Sequence, residues 1–361
     1  MMQFDQILRK GMAEPYALRP SELAFLLSLD DKAALAELYA AAYKVKLRHT
    51  GNLVSLRGLI EMGNVCAKNC YYCGIRRGNK SVERFQLSLD EIEEMARTAF
   101  LNNYGSVVLQ AGEIESETRT EFVEEALRRI MKLSDGRLGV TLSLGEQTRE
   151  VFRRWRAAGA RRYLLRIESS TEAFYKQLHP ADHSYRRRRR CLGVLRELDY
   201  QVGSGVMVGL PGQTVTQLVH DIRFFRSADL DMIGMGPYLP HPDTPLGRNV
   251  KFTPEYREKQ LTAGLKMIAV TRLYLHDVNI ASTTALQALA PGGREAGLLA
   301  GANVIMPNIT DAGHRKNYNL YVNKPDADND LLISSITAAG EQVNWGESGD
   351  SVHYFARRLP R

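Results

Sequence analysis

Short apolar runs and longer amphipathic segments alternate along most of this chain. Eight runs have the length and composition of buried strands: Leu56–Met62, Ser106–Leu109, Gly139–Leu142, Tyr163–Ile167, Val202–Val208, Met232–Gly236, Val278–Ala281 and Ala302–Met306. Between them, apolar residues recur at helical spacing over Leu89–Asn102, Thr120–Lys132, Thr148–Ala158, Arg187–Leu198, Val215–Ser227 and Pro254–Leu275. A near-continuous apolar strand is buried on both faces, and a helical crossover returns the chain to the same end of the sheet, so the alternation predicts parallel pairing. Eight such repeats predict an α/β fold, a (β/α)8 barrel of the TIM type, over residues 53–322. Residues 1–52 read as a helical extension, with Pro20 near a first turn and Ala, Leu and Tyr at helical spacing from Lys32 to Arg48, until His49-Thr50-Gly51-Asn52 breaks the pattern. Residues 323–361 are polar and then helical, an extension expected to pack on the bottom or side of the barrel.

Barrels of this kind assemble their sites from the residues that follow each strand. Here those residues are Asn64–Gly74 after the first strand, Gln110-Ala111-Gly112-Glu113 after the second, Ser143-Leu144-Gly145-Glu146 after the third, Glu168 after the fourth, Gly209–Thr214 after the fifth and Pro237–Pro245 after the sixth. The first group carries Cys66, Cys70 and Cys73 with spacing C-x3-C-x2-C and Tyr72 just before the last cysteine. Thiolates suit iron-sulfur clusters and zinc. Three of them can hold three irons of a cubane cluster and leave the fourth iron open for chemistry. Zinc completed by a distant His or Cys, or three free thiols, are the alternatives. The short gaps lack the second paired-ligand half of a zinc module, and the remaining cysteine, Cys191, lies far away in an arginine-rich segment.

Among the 361 residues, Lys and Arg exceed Asp and Glu by 48 to 41, giving a net charge of +7, and much of the excess is the run Arg186–Arg190. On a helix such a run points to every side, so most of its members are expected in solvent and one or two turned to a ligand. It has no interleaved aromatics, which favours an anionic small substrate or an acidic protein partner over nucleic acid. No apolar run is long enough to cross a bilayer and the N-terminal residues lack a secretory core, so a cytoplasmic, monomeric enzyme is expected. His241-Pro242-Asp243-Thr244-Pro245 has the residues of an acid/base or metal-ligand group and equally those of a proline-fixed turn. Gly203–Gly212 lacks the Lys-Ser/Thr ending of a phosphate loop.

The cysteine spacing with its aromatic resembles the signature of the radical S-adenosylmethionine (SAM) superfamily. Further ordered blocks resemble the HydE family of [FeFe]-hydrogenase maturases: Ile60-Glu61, Val140–Glu146, Arg162–Arg166, Met207–Thr214, Pro240–Leu246, Thr283-Thr284-Ala285, Pro291–Glu295 and Gly301–Asn308. What the resemblance implies is one [4Fe-4S] cluster on Cys66, Cys70 and Cys73, with SAM chelating the open iron and cleaved reductively to methionine and a 5′-deoxyadenosyl radical. It implies SAM contacts from Tyr72, Gly112, Glu113, Ser143, Glu168, Arg187, Met207 and Leu210. It places a substrate cavity at Arg162, Arg166, Thr283, Thr284, Tyr318 and Tyr321, and a small anionic substrate, a cysteine-bound iron carbonyl-cyanide complex supplied by another maturase. Other hydrogenase maturases and an external reductant are the implied partners. Two features depart from the family pattern: residues 323–330 carry no cysteines for an accessory cluster, and Ile167 and Ala111 stand where His and Ser are expected. A related enzyme acting on an amino-acid-like substrate, in the manner of methylornithine synthase, and a scaffold that binds SAM without turnover are the other readings.

Overall fold

The computed structural model describes residues 2–318, 320–321 and 329–359. Its eleven strands are β1 (Leu53–Gly63), β2 (Ser106–Ala111), β3 (Gly139–Ser143), β4 (Ala160–Leu164), β5 (Gln201–Ser204), β6 (Met207–Val208), β7 (Met232–Ile233), β8 (Gly236–Pro237), β9 (Asn279–Ser282), β10 (Val304–Ile305) and β11 (Gln342–Val343). Strands β1, β2, β3, β4, β5, β7, β9 and β10 pair in that order, all parallel, and β10 returns to β1, so an eight-stranded barrel closes. This is the (β/α)8 architecture that the alternation predicts.

Local chemistry sets the element boundaries. Ser88, Ser116, Thr148 and Thr214 each accept a backbone N–H in the first turn of α4 (Leu89–Leu101), α5 (Glu117–Leu133), α6 (Arg149–Ala157) and α9 (Val215–Ser227). Such caps satisfy donors that a helix start leaves open. The Ser116 cap starts α5 three residues before the expected Thr120. Thr253, followed by Pro254, opens the long α10 (Pro254–Leu275). The expected continuous strands Val202–Val208 and Met232–Gly236 are each broken in two. Gly205 and Gly234 approach so closely that a Cβ on Gly205 would collide with the Gly234 carbonyl. There the barrel wall ends, and β6 pairs with β8 as a short parallel ribbon above it.

The N-terminal helices α1 (Met2–Ala13), α2 (Pro20–Leu27) and α3 (Lys32–Thr50) pack chiefly against α10. Lys46 on α3 is fully buried and pairs with Glu341, which also accepts from the Tyr43 hydroxyl at 2.6 Å. Glu341 precedes β11, which runs parallel to the first residues of β1. Beyond β11 the chain crosses the N-terminal end of the barrel and plugs it. Arg57 donates to the Gly349 carbonyl at 3.0 Å, Asn279 to the same oxygen at 2.9 Å, and Gln201 to Asp350 at 2.7 Å. Helix α15 (Val352–Arg358) then docks on Asp199, Asp229, Asp231 and Asp277 through His353, Arg357 and Arg358.

This plug corrects one expectation. Arg162 belongs to β4 and is fully buried at the closed end, where it pairs with Asp350 and donates to Thr141 Oγ1 and the Ser348 carbonyl, each at 2.9 Å. Strand four spans Ala160–Leu164 instead of Tyr163–Ile167, so Arg162 sits low in the barrel and only Arg166 rises above it. Arg162 is therefore a structural residue and does not line the cavity. The expected boundary after residue 322 falls outside the described residues. Among those described, no helix is long and apolar enough to cross a membrane.

Candidate active site

A cavity of about 340 Å³ opens at the C-terminal ends of the strands. Its walls include Cys66, Cys70, Cys73, Tyr72, Gly112, Glu113, Ser143, Glu168 and Met207, together with Arg166, Thr283, Thr284, Tyr318 and Tyr321. Residues from separate strand ends, expected to act together, are thus brought to one chamber. Three are not: Arg162 for the reason given, Arg187 because it points outward, and Leu210 because it packs behind the wall with Phe174, Leu178, Met207 and Tyr238.

The three cysteines lie on the loop that follows β1. Arg84 holds this loop in shape, donating to the carbonyls of Asn64, Ile75, Arg76 and Asn79 at 2.6–3.0 Å. Asn64 is also committed to the scaffold: its amide donates to Glu83 and Asn317 carbonyls and accepts from Phe85 N–H. Both N–H bonds of the Asn64 amide are thus used, and none is left for a cluster's sulfides. Backbone donors take that part: Cys66 Sγ accepts from Lys68 N–H at 3.4 Å and Glu113 N–H at 3.3 Å. Gly112 makes the second contact possible, since a Cβ there would run into the Val65 carbonyl and the Cys66 side chain. Burial pushes all three thiols up, Cys70 to about 12. Three thiols that resist ionisation in isolation, crowded at one wall, suit a metal centre that supplies the compensating charge.

Beside the cysteines lies a cage of charge. Lys68 approaches Glu113 at 3.1 Å and Glu146 at 4.0 Å, while Arg188 approaches Glu146 at 2.9 Å and Glu113 at 3.5 Å. Burial raises Glu146, with Glu113 adding to the effect against Arg188 and Lys68. Arg188 is buried, whereas Arg187 is 42 % exposed and bridges Glu115 and Glu146 from outside. The run Arg186–Arg190 lies on α8 (Tyr185–Glu197), capped by Ser184, and that start sets a phase in which residue 188 faces inward. Arg188, and not the expected Arg187, is thus the guanidinium of the run that lines the cavity.

Glu168 has a left-handed backbone, with φ of 62°, which for a non-glycine residue marks strain held by its surroundings. Its N–H donates to the Gly205 carbonyl at 3.0 Å and its carbonyl accepts from Met207 N–H, locking it where the barrel wall breaks. The carboxylate meets Arg166 at 3.0 Å, and burial raises its pKa in spite of that partner. In the same cavity, Thr283 Oγ1 and Asn308 Nδ2 are buried without hydrogen-bond partners among the described residues. Tyr318 accepts from Gln110 at 3.1 Å. Arg294, on α12 (Gly293–Leu299), reaches the same wall; the segment Pro291–Glu295 signalled it, but no strand end does. His241 stands outside the cavity lining and accepts from Asp243 N–H at 3.2 Å, a turn-forming role.

Residues 60–225 match the radical SAM superfamily model. The chain is 43% identical over 298 residues to the [FeFe] hydrogenase maturase subunit HydE of Thermotoga maritima, covering 82% of each chain. It is 28% identical over 343 residues to 3-methylornithine synthase of Methanosarcina barkeri, covering 94% of this chain and 93% of that one. Among solved structures, methylornithine synthase shares the fold at a TM-score of 0.80 and 23% identity, over 95% of this chain and 97% of that one. The maturase HydG of Carboxydothermus hydrogenoformans does so at 0.79 and 18% identity, over 95% and 80%. Radical SAM enzymes use a [4Fe-4S] cluster and SAM, and the crowded thiols with their converging N–H donors fit that cluster. Barrel, cysteine loop and extended sequence identity together establish a radical SAM enzyme, and the chain belongs to the HydE family of [FeFe]-hydrogenase maturases.

Proposed function

We propose that this enzyme takes part in assembling the diiron subcluster of [FeFe]-hydrogenase, acting on a small sulfur-containing iron carbonyl-cyanide complex. With SAM at its open iron, a cluster held by these cysteines would, on one-electron reduction, supply the cleavage of SAM to methionine and a 5′-deoxyadenosyl radical. The residues around it divide the remaining work. Cys66, Cys70 and Cys73 hold the cluster. Glu113 accepts from the SAM ammonium while Arg188 pairs with its carboxylate, a charge-assisted arrangement that fixes the ligand in one orientation. Glu168 accepts from the ribose hydroxyls, and Tyr72, Ser143 and Met207 shape the remaining pocket.

The observation that carries the substrate reading is the set of polar groups that share the cavity with the cysteines and form one wall of it. Arg166 and Arg294 place two guanidiniums there, with the Thr283 hydroxyl and the Asn308 Nδ2 group, which have no partners among the described residues. Buried polar groups without partners are costly unless a ligand completes them, so the wall suits a compact anion that accepts several hydrogen bonds. Thr284 and Tyr321 extend it. We propose that the enzyme acts as a monomer. An external reductant and the other hydrogenase maturases are the proposed partners.

The test is an anaerobic maturation assay in which reconstituted enzyme, SAM, reductant and the partner maturases are incubated with apo-hydrogenase. Hydrogen evolution that depends on Cys66 supports the reading. Formation of 5′-deoxyadenosine without hydrogenase activation would reject it in favour of another substrate, for which the likeness to 3-methylornithine synthase points to an amino acid. Absence of 5′-deoxyadenosine would favour a scaffold.

A further inference from the structure

Two histidines stand against the cysteine loop and have no part in the chemistry described so far. His179 ends α7 (Glu172–Leu178) and His183 lies in the turn before α8. Both are buried, and burial lowers their pKa values, to about 3 and about 4. Cys70, His179 and His183 bring ligand atoms close enough to hold a metal ion. The hydrogen bonds argue against that use. His179 Nδ1 lies 2.8 Å from the Tyr175 carbonyl, which can only accept, so this nitrogen carries the proton. Its Nε2 then accepts from the Tyr72 hydroxyl at 3.2 Å, and both ring nitrogens are engaged.

The same reasoning fixes the tautomer of His183. The backbone N–H of Asn69 donates to His183 Nε2 at 3.3 Å, so in the neutral ring Nδ1 carries the proton. Nδ1 lies 3.9 Å from Cys70 Sγ. The ring is therefore oriented with its one N–H toward a sulfur that the cluster requires as a thiolate. The Tyr72 hydroxyl lies within reach of both His179 Nε2 and the Cys70 sulfur, so the His183 N–H is a second donor at that sulfur. We propose that His183 donates an N–H···S hydrogen bond to Cys70 and thereby raises the reduction potential of the cluster. The cause is electrostatic: a donor aimed at a cluster ligand stabilises the more negative, reduced state more than the oxidised one. Residues 69, 70 and 183 form a closed arrangement in which the backbone of the cysteine loop orients the ring that serves the loop's own cysteine. His183 is a positioning residue in this account and touches no substrate.

The proposal rests on the three-cysteine cluster, and the experiment separates the two. Wild-type protein, His183→Phe and His183→Asn are reconstituted anaerobically, iron and sulfide are counted, and the midpoint potential is measured without SAM. Phe removes the donor; Asn carries an amide N–H close to the position of Nδ1. The Phe variant should show about a fivefold to tenfold lower ratio of reduced to oxidised cluster at a given potential, a downward shift of about 40–59 mV for one electron. The Asn variant should recover most of that shift. An unchanged potential in a fully loaded Phe variant overturns the role of His183, as does an Asn variant indistinguishable from Phe. A second measurement needs no substitution: with histidine alone labelled by 15N, pulsed EPR of the reduced wild-type cluster should show coupling to a histidine nitrogen. Its absence overturns the hydrogen bond even if the variants fail to take up iron. A wild-type protein that assembles no [4Fe-4S] cluster would refute the centre itself and this proposal with it.

Discussion

Replacing Asp350 by Ala should destabilise the protein severely without touching SAM binding. Arg162 is fully buried and Asp350 is 14 % exposed at its side chain. Arg57, also buried, faces the same carboxylate. Removing the one anion leaves two guanidiniums in the barrel floor with only neutral acceptors: the Ser348 and Gly349 carbonyls, Thr141 Oγ1 and the Met232 sulfur. Breaking a buried pair from one side costs about 3–5 kcal/mol, and the partial exposure of Asp350 favours the lower end. The assay is urea unfolding of the metal-free protein, followed by intrinsic fluorescence. Arg162→Met combined with Asp350→Ala removes both charges of the pair and should recover at least half of the loss. Burial alone would raise the Asp350 carboxyl, but Arg162 and the Gln201 amide prevail and hold it below its ordinary range. Its contribution is accordingly present above the unfolded carboxyl value near ~3.9 and lost as pH falls through the lower folded one. SAM affinity should stay within about twofold, because the pair lies at the opposite end of the barrel from the cavity. A loss below about 1 kcal/mol, or a double variant no more stable than Asp350→Ala, would refute the structural assignment of Arg162.

Three further outcomes are expected. Arg188→Gln should weaken SAM binding about tenfold to a hundredfold in equilibrium dialysis, the scale of a charge-assisted hydrogen bond, whereas Arg187→Gln should change it less than about threefold. Gly112→Ala forces a Cβ against the Val65 carbonyl and the Cys66 side chain, so iron and sulfide bound per chain should fall, while Cys191→Ala, whose sulfur faces the Gln147 carbonyl outside the cavity lining, retains both. Hydrogen bonds to Asp229 and Asp277 raise His353 from 6.5 to about 9. This stabilisation, about 2–3 kcal/mol at neutral pH, is complete below the unfolded value and disappears as pH rises through about 9. His353→Gln should flatten that part of the curve of stability against pH.

The eight strands and the three cysteines were legible because each is a local pattern: an apolar run, or a fixed spacing of one ligand type. What was not legible depends on phase or on distance along the chain. The choice between Arg187 and Arg188 turns on where α8 begins, and five identical residues offer no contrast to set it; only the Ser184 cap does. The shift of β4 moved Arg162 from the expected cavity to the floor. Neither Arg162 nor Arg57 could be matched to Asp350 by any sequence pattern, since the partner comes from an irregular loop beyond the last barrel strand. His183 was missed for a similar reason, because its meaning comes from a backbone N–H more than a hundred residues away. The breaks above β5 and β7 were foreshadowed by Gly205 and Gly234, but two glycines announce a close approach only once the strands are known to be neighbours.

The floor of the barrel also bears on the order in which the molecule is made. Asp350 follows Ile305, the end of the eighth barrel strand, by about 45 residues. At a synthesis rate of about 5–20 residues per second, all eight strands leave the ribosome roughly 2–9 seconds before the acid that neutralises their buried arginines. A barrel that closed in that interval would carry Arg57 and Arg162 in its base without their carboxylate partner, so a polypeptide halted short of Ser348 should be more sensitive to protease than the full chain.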